Sequence, residues 1–308
     1  MRKIPALVVS VGLLASLTAC ASQPQPGDDG CPRTGDASGV VSVSGAFGEE
    51  PDVEVPTPIV TRRTDVTTVL QGDGQRIVDG TPVVIDYALY DGTTGEKVED
   101  SGYDGTSSNP ITVGGTTLGP LANALECSTV GSRVVVAVKG SELQGSTSGS
   151  AVEPDDEADA AFIAVVDVRD AFLPRAEGAP QLGTSGMPAV VTAPDGAPGV
   201  TIPDADAPTE QRTALTVEGH GPELEADDTA VVQFTAVSWS PEPSVLGSTW
   251  TSTGTATALP LAQADLPEYV RTALVGQPVG SQVVTVVPAE LTGGTEAAVY
   301  VFDVLGVL

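Results

Sequence analysis

The chain has 308 residues, with 13 lysines and arginines against 41 acids and a formal net charge of −28. Such an excess of negative charge repels phosphate backbones, so no nucleic-acid partner is expected. One histidine and three cysteines are too few ligands for a metal site and leave a thiol nucleophile without a nearby base, so no metal or cofactor is expected.

The chain opens with Arg2 and Lys3, runs through an apolar stretch from Ile4 to Leu17 and reaches Leu17-Thr18-Ala19-Cys20. The stretch is short for a membrane span and ends in small residues. It resembles a bacterial lipobox, which implies that residues 1–19 are a signal peptide cleaved before Cys20 and that the Cys20 sulfur carries a diacylglyceryl group. The expected location is the extracytoplasmic face of the cell membrane, held by acyl chains. Removal of Arg2 and Lys3 leaves 41 acids against 11 bases, or −30, and such self-repulsion predicts a monomer. Of the other cysteines, Cys31 and Cys127, an even pair in an oxidising exterior reads as a disulfide, with two separate thiols as the alternative.

Residues 20–37 are rich in Gly, Pro, Asp and Gln and read as a flexible tether. From Val41 the pattern alternates as in strands, and then the chain repeats itself. Gly72-Asp73-Gly74 leads in thirteen residues to Tyr87, and Gly219-His220-Gly221 leads in thirteen to Phe234. Val130-Gly131-Ser132-Arg133 returns as Val279-Gly280-Ser281-Gln282, and Val165-Val166-Asp167-Val168 as Val301-Phe302-Asp303-Val304. A period near 149 residues is a domain duplication rather than a solenoid. The units are 38–172 and 188–308, joined by a Gly- and Pro-rich linker over 173–187. Short β-branched runs predict antiparallel sheets, while Leu118–Leu125 and Leu266–Leu274 carry helical spacing. The fold class is therefore α+β, each unit a twisted antiparallel sheet wrapped over one short helix. The acidic run Glu153–Asp159 lacks the spacing and central glycine of a calcium loop and reads as a solvated loop.

The order of these pieces resembles the FKBP-type peptidyl-prolyl cis-trans isomerase family. The resemblance rests on Val83–Tyr87, Gly95–Ser101, Ile111–Gly114, Thr117–Leu121, Val130–Arg133 and Val165–Val168, and in the second unit on Val231–Phe234, Leu246–Trp250, Leu259–Leu261, Leu266–Val270, Val279–Gln282 and Val301–Val304. With the lipobox, the layout also resembles actinobacterial lipoproteins with two divergent FKBP-like domains, a likeness that strengthens the disulfide reading. It implies two such domains and an isomerase that assists folding of exported proteins by acting on their proline-containing segments. Tyr87 and Glu99 would be its catalytic pair. Val98, Thr117, Leu118, Leu121 and Val166 would bind substrate, Leu118 through its backbone N–H, while Val98, Leu121 and Val166 replace family aromatics. In the second unit Phe234, Leu246, Tyr269, Val270 and Phe302 would line the equivalent pocket. A non-catalytic peptide- or protein-binding module of the same shape is the alternative. Trp239 and Trp250 are expected to pack against the sheet.

Overall fold

Apolar β-branched runs broken by glycine and polar residues pair antiparallel into two seven-stranded sheets. The computed structural model describes residues 31–105, 109–143 and 159–308. The first sheet runs Asp65–Leu70, Arg133–Lys139, Asp159–Ala171, Pro82–Asp91, Lys97–Asp100, with Val60–Thr61 and Ile111–Thr112 attached at its ends. The second runs Gly178–Pro180, Arg212–Gly219, Gln282–Val287, Ala298–Val307, Thr229–Ser238, Val245–Ser248, with Thr257–Pro260 on Thr229–Val232. The shared strand order is the three-dimensional form of the repeat.

One corner explains why glycines and a Val-Gly-Ser motif recur together. The Gly72 N–H donates to Ser132 Oγ at 2.9 Å, and the Gly219 N–H to Ser281 Oγ at 3.0 Å. A β-carbon on Gly72 would lie 2.1 Å from the Val130 carbonyl oxygen, and on Gly219 2.2 Å from that of Val279. Only glycine permits this approach.

Each sheet buries both faces, which is why its central strands read as nearly continuous apolar runs. The helix Gly119–Asn123 and the turn after it pack Leu121, Ala122, Ala124 and Leu125 onto Val134, Val136, Ala164, Val166 and Val168. The helix Glu268–Leu274 packs Val270 and Leu274 onto Val232, Val283, Phe302 and Val304. Both helices are shorter than their apolar spacing predicts. Leu118 caps the first in a left-handed conformation, and Pro267 starts the second.

The outer faces are covered by arms. The hairpin Ser42–Ser44 with Asp52–Glu54 lays Val43 and Val53 on Val135, Ala137, Ile163 and Val165. The hairpin Ala189–Thr192 with Pro198–Thr201 lays Val190 and Val200 on Val284, Val286, Val299 and Val301. Part of the expected linker is ordered, since Gly178–Pro180 pairs with Val217–Gly219. The end of the expected tether is docked as well, with Arg33 accepting from the Val66 N–H and Asp36–Gly39 forming a helical turn. Cys31 and Cys127 are joined by a disulfide across 96 residues. The signal peptide, Cys20, residues 21–30 and positions 153–158 of the acidic run lie outside the described residues. Among the described residues, no helix is long and apolar enough to cross a membrane.

Candidate functional site

In the first unit the strand Pro82–Asp91 turns Tyr87 toward the helix, and the neighbouring edge strand carries Glu99 past it. The Tyr87 hydroxyl donates to Glu99 Oε1 at 2.7 Å. Partial burial, and then the bond to the Glu99 carboxylate, push the Tyr87 pKa up to about 12. The phenol therefore stays protonated, a donor held over apolar ground, while Glu99 stands exposed at the rim. The end of this edge strand is pinned by Ser101, whose Oγ accepts from the Tyr87 N–H at 3.0 Å and donates to Asp86 Oδ1 at 3.2 Å.

Leu118 sits where the loop from Ile111–Thr112 enters the helix, with φ at 51°. Its carbonyl accepts from the Ala122 N–H and its side chain joins the core. Its own N–H has no partner among the described residues. Thr117 is exposed and receives a 3.4 Å contact from the Thr255 hydroxyl of the second unit. Leu121 and Val166, expected to line the pocket, are instead 3% and 0% exposed and belong to the core between helix and sheet, too deep to meet a ligand directly.

Two expected pocket residues are corrected. Val98 is 56% exposed and Leu246 is 59% exposed. Each is the extra residue at a register shift on an edge strand, between the pairs Leu89–Glu99 and Tyr90–Lys97 in one unit and Ala236–Gly247 and Val237–Val245 in the other. A bulge leaves its extra residue unpaired and re-aims the side chain, here to solvent.

The second unit concentrates aromatics on its helix-facing side. Phe234 and Phe302 lie 6.0 Å apart, Phe302 stacks on Tyr300 at 5.9 Å, and Tyr300 meets Tyr269 at 5.4 Å. The Tyr269 and Tyr300 hydroxyls are 3.2 Å apart. Burial, helped by that contact, holds the Tyr300 pKa above its ordinary value. Tyr300 was not among the expected residues. Its place two residues before Phe302 on one strand puts both on one face, and that spacing was the available signal. Val270 is buried beneath the row, while Phe234, Tyr269 and Tyr300 remain partly accessible. No carboxylate occupies the Glu99 position, since Gly247 stands opposite Ala236 as Glu99 stands opposite Leu89.

The tryptophans pack elsewhere. Trp239 joins the outer cluster and donates to the Ala205 carbonyl at 3.1 Å, and Trp250 rests against Gly196.

No family model and no curated protein matches the chain. The chain is similar to solved FKBP proteins. With the three FKBP domains of wheat FKBP73 it shares 14% identity over 80% of this chain and 94% of that one, at a TM-score of 0.29. With the N-terminal domain of FKBP42 from Arabidopsis thaliana the identity is 20%, over 36% of this chain and 87% of that one, at 0.29. With FkpA from Escherichia coli it is 18%, over 41% and 53%, at 0.28.

Proposed function

We propose that the chain is an exported, lipid-anchored FKBP-type peptidyl-prolyl cis-trans isomerase made of two FKBP-like domains, acting on proline-containing segments of exported proteins through its first unit. The observation that carries this reading is the Tyr87–Glu99 hydrogen bond of 2.7 Å on the helix-facing side of the sheet, in the unit whose Leu118 N–H has no partner among the described residues. Cys20 supplies the membrane anchor, and the charge of the mature chain keeps it monomeric.

Prolyl isomerisation breaks no covalent bond. Its barrier, about 18–20 kcal/mol, is the resonance of the amide, and the transition state is a twisted amide with a weakened carbonyl dipole. Apolar ground formed by the partly buried Tyr87, Leu89 and Leu118 over the core of Leu121 and Val166 solvates the planar amide poorly and the twisted one better, which binds the transition state preferentially. The Leu118 N–H holds a substrate carbonyl, and the Tyr87 ring, fixed by the bond from its hydroxyl to Glu99, forms a wall at the rim. No proton changes hands. The expected rate is therefore flat through neutral pH, because Tyr87 keeps its proton up to about 12.

The deciding experiment is an isomerisation assay with Xaa-Pro peptides on the folded chain lacking residues 1–20. A rate no higher than the uncatalysed one across several peptides would sink the isomerase reading.

The aromatic row of the second unit favours a further reading for that unit alone. Phe234, Tyr269, Tyr300 and Phe302, with Gly247 where the first unit has Glu99, suit retention of an apolar peptide rather than turnover. Loss of peptide binding in Phe234→Ala with the rate unchanged is the expected signature.

A further inference from the structure

The loop that delivers Leu118 to the helix is held by the second unit. The Thr116 N–H donates to the Thr253 carbonyl at 2.9 Å, and the Thr116 hydroxyl reaches the same oxygen at 3.2 Å. Thr112 Oγ1, buried, accepts from the Ala256 N–H at 3.0 Å. Gly115 fits only because it lacks a side chain, since a β-carbon there would lie 2.9 Å from Thr255 Oγ1 and 3.3 Å from the Thr253 carbonyl oxygen. Behind these bonds Val84 and Phe172 of the first unit share one buried cluster with Val231, Ala256 and Leu305 of the second. The Leu173 N–H completes the seam by donating to the Leu305 carbonyl at 3.1 Å.

The seam falls on the residues just before a strained one. Leu118 has a left-handed φ of 51°, a conformation that a branched side chain keeps only where its surroundings over-determine it. The Gly119 N–H donates back to the Thr116 carbonyl, so displacement of Thr116 moves the turn that aims the Leu118 N–H. We infer that the second unit positions the first unit's substrate-binding N–H, with Thr253–Ala256 acting as a latch on Thr112–Thr117 and Thr112 as a positioning residue. The unit without a tyrosine–carboxylate pair thus holds the loop of the unit that has one.

The role of Leu118 rests on the isomerase reading, whereas the latch does not. The test uses the chain without residues 1–20 carrying Thr112→Val, which keeps the shape and removes the acceptor, beside Thr112→Ser, which restores it. Amide exchange at Thr116 should rise about tenfold and the Leu118 amide resonance should move in Thr112→Val, with Val134–Val138 still protected and both effects reversed in Thr112→Ser. The KM for an Xaa-Pro peptide should rise about fivefold with kcat nearly unchanged. Unaltered Thr116 exchange and an unmoved Leu118 resonance would overturn the latch. Should Thr112→Val fail to fold, Thr255→Ala, at an exposed position, decides: a shifted Leu118 resonance supports the latch and an unshifted one overturns it. A working latch in a chain that shows no turnover sinks the isomerase reading alone.

Discussion

The two units solve one problem, how to bury an acid under the arm that covers the sheet, in different ways. In the first, Asp167 accepts from Arg133 Nε at 2.6 Å and from its Nη2 at 2.7 Å, and both side chains are almost wholly buried. Nη1 donates to the Gly45 carbonyl, Nη2 also reaches the Ala46 and Glu49 carbonyls, and the Gly48 N–H donates to Asp167, so the ion pair ties the arm down. In the second unit Gln282 stands at the Arg133 position and donates to Asp303 at 2.9 Å, with the Ala176 N–H on the other oxygen. No lysine or arginine pairs with Asp303 among the described residues, and burial pushes its pKa up to about 6. The same exchange of charge for amide recurs where Asp86 becomes Gln233, which accepts from Thr249 as Asp86 accepts from Ser101. The first unit thus holds an ion pair under its arm and a tyrosine–carboxylate pair on its helix-facing side, where the second holds an amide–carboxylate pair and a row of aromatic rings.

The comparison breaks most visibly at the ion pair. Arg133→Ala strands a buried carboxylate and should cost about 3–5 kcal/mol in chemical denaturation, whereas Gln282→Ala, which removes one hydrogen bond to Asp303, should cost about 1–3 kcal/mol at neutral pH. Equal losses would mean that the pair and the amide are interchangeable.

Asp303 should show its lack of a cation in the pH dependence. Its folded pKa of about 6 lies above the ordinary 3.8, so the folded state binds the proton more tightly. That contribution is fully present below pH ~4 and is lost as pH rises through about 6, a fall of about 3 kcal/mol. Asp303→Asn should flatten this slope and be the more stable form at pH 7, as urea melts at pH 4.5 and 7 would reveal. A wild-type slope that survives the substitution would assign the effect to another group.

Smaller effects separate the candidate sites. Tyr87→Phe removes a charge-assisted hydrogen bond and should lower kcat/KM about tenfold, with little change in fold. Phe234→Ala should change kcat/KM less than twofold while weakening peptide binding to the second unit. The reverse order of these two losses would move the reaction to the second unit.

Much of the fold was legible because its determinants are local or repeated. The recurring glycines and Val-Gly-Ser motifs meet at one hydrogen-bonded corner, Gly72 with Ser132 and Gly219 with Ser281, so a repeat in sequence had to be a repeat in space. Tyr87 and Glu99, twelve residues apart on adjoining strands, were legible only through the family resemblance and not through any local pattern. Val98 and Leu246 were misplaced because a bulge adds one residue to one strand, and one residue reverses the face of a side chain. Phe172 and Leu173 sat beside a Pro- and Gly-rich stretch, and nothing local separates a linker from a segment buried between two sheets.

The chain's amino-acid order by itself determined which runs become strands and that those strands form two units in the same arrangement. Periodicity suffices for that, since alternation sets the face and glycine sets the corner. Only the tertiary structure decided that the arms fold back over the sheets, that an aromatic row forms in the second unit, and that Thr253–Ala256 grips the loop before Leu118. Those contacts join residues far apart in the chain, 137 apart for Thr116 and Thr253, and rest on packing and bulged register rather than on any pattern a short stretch can carry.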